Sequence, residues 1–145
     1  MTYTANRKLA NSARKMFDFD PNSTAATAVG WQSLVDLGGV EAFLAMAFVS
    51  VGTGGVGSFT INAATSSTGA GSVAVVTHAL GSVPDAVGDY VVLEASEEQI
   101  RAALANATHA SAVVALVTAT DECVVLQERF PMFKQNGSTA DLIST

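Results

Sequence analysis

Residues 40–65, VEAFLAMAFVSVGTGGVGSFTINAAT, set two apolar stretches rich in β-branched and aromatic residues around a glycine cluster. That pattern predicts two strands joined as a hairpin. Residues 40–51 are apolar on both faces, which predicts a central strand covered on each side. Residues 58–64 alternate cleanly, Phe59, Ile61 and Ala63 against Ser58, Thr60 and Asn62.

The same grammar recurs on both sides of this stretch. Residues 30–37 alternate as a first strand, with Gly38-Gly39 as the turn after it. Strands follow at 72–80 and 88–95, separated by polar or turn-rich connections at 64–72 and 81–88. At Ser96 the period changes. Ser96-Glu97-Glu98-Gln99 reads as a capping box, and Ile100, Ala103 and Leu104 give a short apolar stripe, so a helix is expected over 97–105. Residues 110–119 and 122–130 then predict a last hairpin about Thr120-Asp121, ended by Pro131. Seven strands and one short helix, with turn signals at this spacing, predict an all-β antiparallel sandwich of jelly-roll-like topology.

The amino-terminal segment is different. Residues 6–17 fit a short amphipathic helix, with Leu9, Ala13, Met16 and Phe17 near one face. Phe17-Asp18-Phe19-Asp20 alternates like extended chain, and Pro21-Asn22 gives a turn. The expected organisation is an extended amino-terminal arm at 1–28, a sandwich domain at 29–131 and a tail at 132–145.

Composition sharpens this reading. Of 145 residues, 49% are hydrophobic and only 14% charged, which favours sheet and suggests that much of the surface meets other protein. The net charge of −6 is unevenly spread. Arg7, Lys8, Arg14 and Lys15 are four of the seven basic residues, with no acid in the first fifteen positions, so the remainder carries −10. A basic arm on an acidic body suits an acidic partner, which can be a neighbouring copy of the same domain. Nucleic acid is disfavoured as a partner of the domain by its negative charge. No apolar run reaches bilayer length and no signal-peptide h-region follows the basic start, so a soluble, cytoplasmically made protein is expected.

Candidate chemistry is thin. Gly52-Thr53-Gly54-Gly55-Val56-Gly57 matches G-x-G-x-x-G, but dinucleotide binding needs a helix directly after the glycines and the sequence continues as a strand. His78 and His109, the two histidines, have no carboxylate or cysteine at ligand spacing. Cys123, the single cysteine, sits in a strand-like run and is expected to be a buried, inert thiol. Glu94, Glu97 and Glu98 are explained by the helix start, and Asp85 with Asp89 lacks the EF-hand pattern. No catalytic residue, cofactor site or metal site is therefore assigned.

Three stretches carry a family resemblance: SLVDLGGVEAFLAMAFVSV, DYVVLEASEEQIRAAL and VVALVTATDECVVLQERFP. Through Val40, Phe43 and Leu44 in the core strand, and Leu126, Glu128, Arg129, Phe130 and Pro131 at the end, residues 33–131 resemble small virion proteins of tailed bacteriophages, of the capsid decoration (cement) type. The resemblance implies a β-sandwich or jelly-roll body, no catalytic residues, and binding to the major capsid protein. It also implies a homo-oligomer, a trimer by preference, on the capsid surface of a virion made in a bacterial cytoplasm. The amino-terminal segment departs from the family pattern. Docking is assigned to Arg7, Lys8, Arg14, Lys15, Phe17 and Phe19. The alternatives are a head–tail connector or tail component, or a glycan-binding sandwich using Trp31, Phe59, Tyr90 and Phe133.

Overall fold

The computed structural model describes residues 13–19, 25–35, 39–52, 54–78 and 86–131, with the backbone alone for 13–19 and 131. In chain order the elements are β1 (Ala13–Phe19), β2 (Thr27–Ala28), β3 (Gln32–Ser33), β4 (Val40–Val51), β5 (Val56–Ala64), β6 (Val73–His78), β7 (Tyr90–Ser96), α1 (Glu97–Ala103), β8 (His109–Leu116) and β9 (Glu122–Pro131). Sheet A has the order β1-β9-β4-β7. Sheet B has the order β2-β8-β5-β6, with β3 also paired to β8. Every pairing is antiparallel.

The pairings are nested. β5 pairs with β6, β4 with β7, β2 and β3 with β8, and β1 with β9. The chain is thus one long antiparallel ribbon, folded at the β5–β6 turn and wound so that successive strand pairs fall in alternate sheets. The seams β4–β9 and β5–β8 close each sheet. This is jelly-roll winding, and it bears out the expected all-β sandwich.

It also corrects the expected hairpins. β4 and β5 lie in different sheets, as do β8 and β9, so the glycine cluster and the Thr120-Asp121 turn are crossings between sheets. Period-two alternation is satisfied by any antiparallel partner, and here the partners are remote in sequence. Of the expected strand at 30–37, the described residues 30–35 contribute only β3 to the ladder. Residues 13–17, expected to be helical, belong to strand β1, paired over seven residues with β9. The ladder supplied by β9 overrides a weak local preference for helix.

Inward residues of the two sheets form one core. Phe43, Val49, Phe59, Ile61, Val114 and Val125 fill it, and Ala45, Ala47, Ala63, Ala110 and Ala112 let the sheets approach closely. Helix α1 starts as expected. Ser96 Oγ accepts from Gln99 N at 3.2 Å and Ser96 N donates to Gln99 Oε1 at 2.9 Å. It ends at Ala103, two residues early. Arg101 holds that end, donating from Nη1 to Ala105 O and Ala107 O at 3.1 and 2.8 Å while pairing with Glu97 at 3.1 Å. Ile100 enters the core.

Two polar side chains of β9 tie the sheets together, Arg129 by donating from Nη1 to Ser33 O of β3 and Gln127 farther along the strand. Gln127 of β9 is fully buried, donates from Nε2 to Gly30 O at 3.0 Å, and accepts at Oε1 from Ala112 N of β8. Gly30 N in turn donates to Ser111 Oγ at 3.1 Å. The amide of Gln127 therefore satisfies Ala112 N and Gly30 O between β2 and β3, where Val29 N donates to Ala112 O at 2.9 Å.

Candidate functional site

The glycine cluster is a packing device. Gly52 has φ +130°, and a Cβ there would stand 2.0 Å from Asp121 Oδ1. A Cβ on Gly54 would stand 2.8 Å from Val117 Cγ1. Asp121 is buried beneath these glycines and accepts from Thr118 N at 3.1 Å through Oδ2. The glycines are needed so that two crossing loops can touch. A strand, β5, follows them, as the sequence indicates.

The other tempting residues have structural roles. Asp89 closes a turn by accepting from Ala86 N at 3.2 Å. His109 Nδ1 lies 2.8 Å from Thr108 Oγ1. Cys123 is fully buried, and burial raises its pKa to about 11, so it is the inert thiol expected. Among the described residues, no three His, Cys, Asp or Glu stand together as a metal site, and no helix is long and apolar enough to cross a membrane.

The aromatic candidates separate. Phe59 is fully buried in the core, which removes it from any exposed binding platform. Its inward parity on β5 already places it there. Trp31 is half-buried, and its ring lies over Gly69, where a Cβ would stand 2.2 Å from Cε2. Tyr90 is 62% exposed. Phe133 lies outside the described residues.

Of the six docking residues, Arg7 and Lys8 lie outside the described residues, and four fall on β1. Arg14 and Lys15 stand in register with Glu128 and Gln127, and Phe17 and Phe19 with Val125 and Cys123. β1 is the terminal strand of sheet A, so a basic segment runs along the rim of an acidic body.

The most distinctive surface is the outer face of sheet A. Register places its side chains in three rows across β9, β4 and β7: Val124, Phe48 and Tyr90; Leu126, Met46 and Val92; Glu128, Leu44 and Glu94. Asp18, Met16 and Arg14 of β1 are in register with these rows. Phe48, Val92 and Tyr90 are 38%, 46% and 62% exposed, and Leu44, Met46, Val124 and Leu126 are half-buried. Among the described residues β4 is fully covered on its inner face and partly covered on its outer one, where the expectation is cover on each side.

No protein-family model matches the chain, and no curated protein matches it in sequence. Among solved structures it is similar to the SPBc2 prophage-derived protein YomS at 15% identity, over 81% of this chain and 94% of that one, with a TM-score of 0.35. A TM-score this low does not establish a common fold.

Proposed function

We propose that this chain is a non-enzymatic virion structural protein that binds and stabilises a phage capsid shell. The observation that carries the reading is β1: a strand bearing Arg14 and Lys15 forms the rim of a sandwich whose remaining sequence is strongly acidic. Such a rim suits an acidic groove on the major capsid protein. Arg7 and Lys8 extend the basic run, and Phe17 and Phe19 belong to the same docking segment. The resemblance of residues 33–131 to cement proteins supports the same reading. Modest contacts of this kind gain avidity when repeated over a symmetric shell.

The test is co-sedimentation of the full chain with undecorated capsid shells of the encoding phage. The expected result is saturable binding that weakens with salt and is lost on Arg14→Glu with Lys15→Glu. Absence of binding at low salt would sink the proposal. Saturable binding with a ring of six or more copies in solution would point to the head–tail connector. The exposed ring of Tyr90 keeps a glycan-binding reading in play, and a glycan panel followed by Trp31 fluorescence tests it.

A further inference from the structure

Residues 27–34 form a strap along β8, and the groups that hold it contact its backbone. Val29 N donates to Ala112 O at 2.9 Å and Leu34 N to Thr108 O at 2.8 Å. Gly30 N donates to Ser111 Oγ at 3.1 Å, Gly30 O accepts from Gln127 Nε2 at 3.0 Å, and Ser33 O accepts from Arg129 Nη1. Ser111, Gln127 and Arg129 are themselves buried. The groove along β8 is thus furnished with three buried polar side chains, from β8 and β9, that grip main chain. Main-chain hydrogen bonds hold an extended segment of any sequence, and selectivity is left to the side chains that turn inward.

The strap fits this groove imperfectly. From Ala28, opposite Val113, to Gln32, opposite Ala110, four steps of the strap span three of β8, so the strap bulges at Gly30-Trp31. The Trp31 ring comes to lie over Gly69, and Gln32 faces the core with Ala110 and Leu34. Gln32 is 3% exposed, and neither its Oε1 nor its Nε2 has a hydrogen-bond partner. Gln127 and Arg129 hold the carbonyls of Gly30 and Ser33, on either side of it in the chain, and leave its amide unserved. An amide buried in this way disfavours docking by roughly ten- to a hundredfold against an apolar side chain of similar size. β2 and β3 are also two-residue strands at the edge of sheet B, where local opening starts most readily.

We propose that the groove along β8 is a binding site for an extended peptide segment of another protein, with the strap as its resident, displaceable occupant. The misfit defines the chemistry of that segment: an apolar side chain where the strap has Gln32, followed two residues on by the apolar one that takes the place of Leu34. The strap of a second copy brings the same Gln32 and gains nothing by exchange, so the partner is a different chain. The resident strap is tethered and competes at an effective concentration on the order of millimolar. An incoming segment therefore needs the advantage that its apolar side chain supplies. This inference is independent of the virion reading, because it concerns a groove and its occupant and not a shell.

The test uses two fluorescein-labelled peptides, residues 25–35 as they stand and the same segment with Gln32→Leu, titrated into the full-length protein and followed by anisotropy. Hydrogen exchange at Val29 and Leu34 of the protein reports whether the strap leaves. The Gln32→Leu peptide should bind at least tenfold more tightly than the unaltered one, and its binding should speed exchange at both amides at least tenfold. Gln32→Leu in the full-length protein should do the reverse, with circular dichroism unchanged: exchange at both amides slows at least tenfold, and peptide binding weakens to the same extent. Absence of binding up to about 1 mM peptide, equal affinity of the two peptides, or binding that leaves Val29 and Leu34 protected would each overturn the proposal. Faster exchange in the Gln32→Leu protein would also overturn it, since the Gln32 amide would then be stabilising the docked strap.

Discussion

On sheet A the outward side chains of β4, β7 and β9 include Phe48, Tyr90, Val92 and Leu126; on sheet B the outward side chains of β5, β6 and β8 include Ser58, Thr60, Asn62 and Thr77. Both sheets contribute the same kind of inner face to one core, rich in alanine and built around Phe43 and Phe59. The inner faces are thus constrained by the fold, while the outer faces are free to differ. Among the described residues, sheet A exposes Phe48, Val92 and Tyr90 on its outer face where sheet B exposes Thr77 and buries Ser111 and Ala115.

The comparison can be broken most severely from inside. Replacing Gln127 with Leu leaves Gly30 O and the buried Ala112 N without their side-chain partner and removes one of the polar ties between the sheets. The expected loss is about 3 kcal/mol of stability by urea unfolding, with both outer faces unchanged in sequence. Alkaline pH acts on the same core. Cys123 has its pKa raised by burial from 9.0 to about 11, so the stability it contributes is complete below pH 9 and is lost as pH rises through about 11. A fall of about 2–3 kcal/mol across that window is expected, and Cys123→Ala should remove this pH dependence. Gly52→Ala places a Cβ against Asp121 at a positive φ and should cost about 2 kcal/mol or more, read as a lowered Tm.

The smallest effect on stability is the most informative about the faces. Giving sheet A the chemistry of sheet B, with Phe48→Thr and Val92→Thr, should change stability by no more than about 1 kcal/mol by urea unfolding. A larger loss would mean that these side chains serve the fold.

Much of this architecture is legible in the sequence. The capping box at Ser96, the inward parity of Phe59 and Ile61, the buried thiol and the all-β class follow from local pattern. Partner choice does not. Alternation reports that residues 40–51 and 58–64 are strands, but it is silent on which strands they pair with, so chain neighbours were joined where the ribbon is nested. Gln127 was legible by parity, since it shares a face with Cys123 and Val125, yet polar character hid its burial. For β4 the two-sided apolar pattern is matched, among the described residues, by full burial of its inner face and partial burial of Leu44 and Met46 on the outer one. On β1, the Phe17-Asp18-Phe19 alternation breaks at Met16 and Lys15, so local pattern does not report that the strand runs back to Ala13.

The central claim is that the strap at residues 27–34 is the displaceable edge of sheet B, while the β5–β8 ladder beside it belongs to the fixed sandwich. The most direct measurement is native-state hydrogen exchange of the full-length protein, read at Val29 and Leu34 against the amides of that ladder. The account predicts exchange at Val29 and Leu34 at least tenfold faster than in the ladder, through a local opening. Equal protection of strap and ladder would contradict it.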